Sequence, residues 1–180
     1  MKRPASKSAM VMGMAPGLQF AALPWRKVGD GLEVLLVTSR ESGRWVIPKG
    51  WPMKGRKAHL AAAREALEEA GVTGRIAKKP AGSFGYVKRL KNGAPLECRV
   101  QVFPLKVERQ RKSWPERHER EARWFPAAEA AEAVEEPELR ALIATFAGET
   151  STDVSVQGAP SPLAGEGLDL RSNAPLPSPR

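Results

Sequence analysis

Glu65, Glu68 and Glu69 stand in a stretch, Lys57 to Ala70, whose Ala, Leu, Arg and Glu content is that of a strong helix former. Gly71 follows where a left-handed C-terminal cap is expected. At about 100° per residue the three carboxylates fall at roughly 0°, 300° and 40°, so they share one helix face. Each like-charge pair at i,i+3 or i,i+4 costs roughly 0.2 to 0.5 kcal/mol, and acids near a helix C-terminus also oppose its dipole. Arg64 can bridge to Glu68, but one guanidinium cannot satisfy three carboxylates. A hard divalent cation held by oxygen, Mg²⁺ or Mn²⁺, would do so. Taken alone, Arg-Glu-x-x-Glu-Glu is by default a solvated charged face; the residues upstream must decide between the two readings.

Those residues form a loop feeding the helix. Gln19 to Trp25 reads as a first strand, and the Gly-Asp-Gly within Val28 to Leu32 turns it into a hairpin. Glu33 to Thr38 has the continuous Val-Leu-Leu-Val of a buried strand, and Ser39 to Arg44 is a polar loop. Trp45-Val46-Ile47 is a short strand ending at Pro48. Gly50 and Gly55 then let the backbone approach a ligand closely. After Gly71, Val72 to Lys79 can re-enter a sheet. Ala81 to Leu90 and Leu96 to Glu108 form a hairpin about Asn92-Gly93. Val100 and Val102 share one face, while Leu105 and Val107 shift the alternation around Pro104, which predicts a bulge or an edge position there. Arg109 to Arg120 is a highly charged loop, Glu121 to Phe125 a short strand, and Pro126 to Val134 a helix. Pro137 to Phe146 is another, with Leu139, Leu142, Ile143 and Phe146 on one face. Strands around one central helix, with helices at the end, predict an α/β sandwich with a mixed sheet between helices.

With Gly50 at its distance upstream, Arg64-Glu65-Ala66-Leu67-Glu68-Glu69-Ala70-Gly71-Val72 resembles the Nudix box, Gly-x5-Glu-x7-Arg-Glu-U-x-Glu-Glu-x-Gly-U with U apolar. Arg56 departs from it, standing where the pattern has Glu. From about Gly31 to Phe146 the chain is similar to a Nudix domain throughout, and to the diphosphoinositol polyphosphate phosphohydrolase branch. Val34-Leu-Leu-Val-Thr-Ser-Arg40, Arg44-Trp45-Val-Ile-Pro48-Lys-Gly50 and Glu121-Ala-Arg-Trp124-Phe125 carry that likeness. The resemblance implies a Nudix-type α/β/α sandwich and a Mg²⁺-dependent hydrolase of phosphoanhydride bonds. Its substrate would be nucleoside-diphosphate-linked, a dinucleoside polyphosphate or a diphosphoinositol polyphosphate. It further implies that Glu65, Glu68 and Glu69 hold the divalent ions, with Glu65 or Glu69 polarising the attacking water. Arg64 would orient the carboxylates, and the backbone around Lys49 and Gly50 would offer a carbonyl. Arg40 and Arg44 are implied as phosphate contacts or as structural salt bridges. Lys49 and Lys54 are further substrate-binding candidates, and Arg56, Lys57, Arg117 and Arg120 are each a phosphate contact or a solvated charge. His59 and His118 lack metal-ligand spacing. A non-catalytic Nudix-fold module binding a nucleotide or RNA is the alternative, suggested by Arg56 and by the basic 73–125 segment.

Composition sets the bounds. The 180 residues, 42% of them apolar, suit one domain, here 18–148, with a flexible 1–17 before it. Residues 149–180, rich in Pro, Ser and Gly, predict a disordered tail. The net charge of +9 is uneven. Residues 73–125 hold most of the basic excess, whereas 61–72 and 126–180 are acidic. A carboxylate patch in a basic body suits a small, highly phosphorylated anion shared between metal and basic side chains; nucleic acid fits the charge less specifically. The single Cys98 excludes an internal disulfide and points to a buried small hydrophobe in a reducing, cytoplasmic setting. No stretch approaches the roughly 20 apolar residues that span a bilayer. Met1 to Gly17 is too short and interrupted for a secretory signal, though basic and acid-free enough to leave a transit peptide open. Neither a Walker loop nor a Ser/His/Asp arrangement stands out, which argues against P-loop and covalent hydrolases.

Overall fold

The chain's continuous apolar runs bury both faces of one sheet. A computed structural model describes residues 16–156, with side chains to residue 150. Most of the expected flexible N-terminus and transit segment, 1–17, and most of the expected tail, 149–180, lie outside the described residues; Gly17 opens the first strand. The strands are β1 (Gly17–Val28), β2 (Gly31–Thr38), β3 (Trp45–Val46), β4 (Lys49–Gly50), β5 (Val72–Ile76), β6 (Gly82–Arg89), β7 (Pro95–Gln110) and β8 (Ala122–Pro126). The helices are α1 (Ala58–Ala70), α2 (Ala127–Ala133) and α3 (Pro137–Val156). α3 thus runs past Phe146, where the apolar pattern fades. All eight strands form one mixed sheet in which β1 and β7 are parallel and the other pairs antiparallel.

Alternation explains the two layers. On β1, β2 and β7, Ala21, Leu23, Val34, Leu36, Val100 and Val102 face a core closed by α2 and α3 through Ala130, Val134, Leu139 and Ile143. Phe20, Ala22, Leu35, Val37, Phe103 and Leu105 face the opposite core, closed by α1. Apart from Glu69, the buried α1 stripe is all small, Ala61, Ala62, Ala66 and Ala70, which lets the helix lie close to the strands. The expected α/β/α arrangement is therefore present, with α1 on one face and α2 and α3 on the other.

The expectation of a bulge or edge at Pro104 is corrected. β7 runs unbroken through Pro104 in the interior of the sheet, with β1 along one side and β6 then β5 along the other. The pattern shifts because the strand exchanges one buried face for the other, Val102 facing α3's layer and Phe103 facing α1's. A register irregularity does occur, further along, between Thr73 and Gly74 of β5.

Candidate active site

A helix leaves its last four carbonyls without intrahelical partners. At the end of α1, Gly71 is left-handed (φ 69°) and its N–H donates to Leu67 O at 3.1 Å. The other three carbonyls are met by one segment, β7's end and the 111–121 loop. Glu116 N–H donates to Glu68 O (3.0 Å), the Trp114 indole Nε1–H to Glu69 O (3.2 Å) and Gln110 Nε2–H to Ala70 O (3.4 Å). The loop that caps the helix therefore also delivers Glu116 and Arg120 to its carboxylates.

Glu69 lies on the buried stripe of α1 and is 5% exposed. Its Oε1 accepts from Arg120 Nη2 at 2.7 Å, and its Oε2 from the Lys49 backbone N–H at 3.3 Å. Arg120, itself buried, also donates from Nε to Glu116 Oε2 (2.6 Å) and from Nη1 to Thr38 O (2.9 Å). Burial pushes the Glu69 carboxyl up to about 7, against the pull of Arg120 and Lys49. Glu65 is raised as well, first by burial and then by the Glu68 and Glu116 carboxylates. It has no hydrogen-bond or ion-pair partner among the described residues, and it packs beneath Gly50: a Cβ there would meet its Cδ at 2.2 Å. Glu68 is held by Arg64, the expected i,i+4 pair.

The three carboxylates share the face of α1 that the spacing predicts, each tip in a different setting. Among the described residues no three His, Cys, Asp or Glu side chains form a metal-holding group. The helix face brings the acids together, but their tips are drawn apart: Glu68 to Arg64, Glu69 to Arg120 and Lys49, and Glu65 under Gly50. The donor set still fits a hard cation in its chemistry. Its donors are all oxygen, and the Glu68 and Glu116 carboxylates raise Glu65, a repulsion that a divalent ion would relieve.

Glu65, Glu69, Glu116 and Arg120 line a cleft of about 840 Å³ together with Arg40, Arg44, Lys49, Lys88 and Arg89, whereas the Glu68 side chain is not part of its lining. For Arg40 and Arg44 the structure shows the salt bridges. Each faces the cleft and each is ion-paired, Arg40 to Glu119 (3.0 Å) and Arg44 to Glu135 (2.9 Å). Arg44 also reaches buried Glu136 at 3.4 Å. Lys49 sits at the cleft floor, 4.9 Å from the Tyr86 ring, and burial lowers its ammonium pKa. Lys54, Arg56 and Lys57 are exposed and do not line the cleft. Arg117 is exposed and lies over Trp114. His59 packs near Phe103, His118 is exposed, and Cys98 is a buried free thiol.

Sequence reasoning missed Glu116, and it gave Arg120 no more than a solvated or phosphate-contacting role. Two signals pointed to them. Glu69 continues the Ala62, Ala66 spacing at i+7 from Ala62, which forecasts a buried acid in need of a cation. The C-terminal carbonyls of α1 required donors from somewhere, and a loop with Trp114 in its charged run was the available source. The floor residues Gln19 and Tyr86, whose hydroxyl donates to Gln19 Oε1 at 2.6 Å, carried no such signal.

Comparison with known proteins agrees with this architecture. The NUDIX domain model matches residues 17–146. Nudix hydrolase 12, mitochondrial, of Arabidopsis thaliana is 39% identical over 106 residues, covering 56% of this chain and 51% of the relative. Nudix hydrolase 21, chloroplastic, of the same plant is 31% identical over 128 residues, covering 68% and 61%. The chain thus spans about half to three fifths of the length of these relatives. Among solved structures, a C. elegans Ap4A hydrolase superposes with TM-score 0.56 at 21% identity, covering 76% of this chain and 99% of that one. The E. coli dihydroneopterin triphosphate pyrophosphohydrolase gives TM-score 0.56 at 18% identity, covering 73% and 95%. At such identities the structural likeness shows the fold.

Proposed function

The chain belongs to the Nudix family, and on that premise we propose that it is a Mg²⁺-dependent pyrophosphohydrolase, cleaving a phosphoanhydride bond in a small phosphorylated molecule. The substrate classes are a nucleoside diphosphate linked to a second group, a dinucleoside polyphosphate or a diphosphoinositol polyphosphate, the last following from the branch resemblance. The observation that carries the reading is one cleft lined by both carboxylates, Glu65, Glu69 and Glu116, and cations, Arg40, Arg44, Lys49, Lys88 and Arg89. A single-sign cleft would attract either a metal or a polyanion; this one accommodates both.

Arg40, Arg44 and Lys49 would neutralise and orient the phosphates. Arg64 and Arg120 fix Glu68 and Glu69. Glu65, free of protein partners and in a desolvated place, would accept the proton of the attacking water, worth about 10² to 10⁴ in rate. Glu65, Glu68 and Glu116, with the Gly50 carbonyl, would hold the ion. Mg²⁺ bound there supplies charge neutralisation at the bridging phosphate oxygens and a more acidic water. Two phosphate-bearing fragments result. A cytoplasmic setting is part of the same proposal, supported by the free thiol of Cys98, which suits a reducing compartment.

The test is phosphate or nucleotide release from a panel of dinucleoside polyphosphates, nucleoside-diphosphate conjugates and diphosphoinositol phosphates, with and without Mg²⁺. Turnover that requires Mg²⁺ and drops about a hundredfold or more in Glu65→Gln and Glu68→Gln, with unchanged thermal midpoints, is the expected result. Absence of turnover on every substrate, alongside retained ligand binding, would instead establish a non-catalytic binding module.

A further inference from the structure

Two arginines of the cleft are already occupied, each by carboxylates of two kinds. Arg40 and Arg44 lie in the 39–44 loop, which closes on itself through Ser39 N–H to Arg44 O at 2.9 Å. Each end of that loop is fastened to an acidic segment. Thr38 N–H donates to Glu121 O (2.9 Å), which brings the 111–121 loop to Arg40, and Trp45 bridges Val134, which brings Glu135 and Glu136 to Arg44. Arg44 Nη1 donates to Glu135 Oε2 at 2.9 Å, and Glu136 Oε1 lies 3.4 Å from Nη2. Arg40 repeats the arrangement, with Glu119 at 3.0 Å and Glu116 at 3.9 Å. In both cases the nearer acid is the exposed one. Glu135 and Glu119 have side chains 63% and 51% exposed, against 6% and 21% for Glu136 and Glu116.

Exposure decides what each acid can do. An exposed ion pair contributes little and is readily broken in water, so Glu135 and Glu119 are free to leave. Glu136 is not. Both its carboxylate oxygens are buried without a hydrogen bond among the described residues, and withdrawing Arg44 would strand its charge. Arg44 is thus anchored by one acid and only covered by the other, and the covering acid itself lines the cleft. We propose that Glu135 and Glu119 are placeholders: they occupy, on Arg44 and Arg40, the positions that two phosphates of a polyphosphate take, leave when it binds, and return as the products depart. The proposal rests on the hydrolase reading only in naming products; the exchange itself is one anion for another on a guanidinium. A phosphate displaces the carboxylate because it carries more charge and accepts from the same guanidinium fork in a bidentate way. The tethered carboxylate, present at high effective concentration, in turn limits how tightly phosphates are held.

The experiment titrates inorganic tripolyphosphate into the full chain by calorimetry, with EDTA present so that nothing turns over. Glu135→Gln and Glu119→Gln are each expected to bind it about threefold or more tighter, and Glu135→Gln to lose that gain when Arg44→Ala is also present. Glu41→Gln is the control. Glu41 is an exposed acid lining the same cleft with no arginine partner among the described residues, and its loss should change binding by less than about twofold. No gain in Glu135→Gln, where Arg44→Ala still weakens binding, would overturn the placeholders and leave the phosphate reading of Arg44 standing. A gain that survives Arg44→Ala, or that Glu41→Gln matches, would reduce the effect to net charge and likewise overturn them. The expected gains in a protein that hydrolyses nothing in the substrate panel would sink the hydrolase reading while the placeholders stand.

Discussion

Gly50→Ala separates the site from the fold. The added Cβ would lie 2.2 Å from the Glu65 Cδ and Oε1, and 2.6 Å from Oε2. Carbon and carboxylate atoms do not approach that closely, so one of them moves by about 1 Å. The Gly50 backbone is tied to Phe20 in the β1–β4 ladder and has an ordinary conformation, whereas Glu65 is the end of a flexible side chain with no protein partner. Glu65 therefore yields. The stability cost is small, and the reduced chain entropy of the unfolded alanine variant offsets part of it, leaving a change within about 1 kcal/mol. Catalysis is less forgiving, since a displacement of about 1 Å costs about 10² in rate. Urea denaturation alongside steady-state turnover on the best substrate of the panel would read both effects. Gly50→Ala should lose about a hundredfold in kcat/KM and add little further loss in a Glu65→Gln background, as expected of two changes acting through one group. Turnover within threefold of the unmodified protein, or additive losses in the double variant, would refute the reasoning that Glu65 works from beneath Gly50.

Arg120→Met leaves Glu69 buried without its cation, a loss of about 3 to 5 kcal/mol in urea denaturation, and adding Glu69→Gln should recover part of it. Gly71→Ala combines a left-handed alanine with a Cβ 2.5 Å from the Trp114 ring, and should destabilise by about 2 kcal/mol or more while loosening the 111–121 loop in hydrogen exchange. The Gly85 N–H and the Arg99 guanidinium hold the Glu138 carboxyl below its ordinary value. Its contribution to stability is thus present above the unfolded carboxylate pKa and lost as the pH falls through the folded one. The thermal midpoint of Glu138→Gln should fall less steeply than that of the unmodified protein between about pH 5 and pH 3.

Periodic patterns carried most of the fold. The Ala-rich stretch, the left-handed Gly71, the Gly29-Asp30 and Asn92-Gly93 turns and the Val-Leu-Leu-Val strand all stand where local preference puts them, because local and tertiary demands agree there. Pro104 misled because alternation was judged for a strand with one buried face, and β7 has two. The site was half legible. Helical spacing located Glu65, Glu68 and Glu69, since it is a property of the helix alone. Where their tips point depends on Arg120 and Glu116, which lie about 50 residues further along the chain and reach α1 only by capping it. Lys54 was tied to the cleft by its nearness in sequence, yet the turn closed by Arg56 N–H to Met53 O carries it outward into solvent.

The parallel pairing of β1 with β7 joins Gly17 to Cys98 and Trp25 to Lys106. Each of these β1 residues therefore precedes its partner by 81 residues, all of which a ribosome must add before the pair can form. Closing so long a span is slow compared with growing a helix. During synthesis the nascent first hairpin waits with one edge open, and the acidic helix waits without the loop that later covers its end. Shielding those edges is a task for chaperones, and truncations ahead of β7 should be captured by them rather than accumulate as folded intermediates.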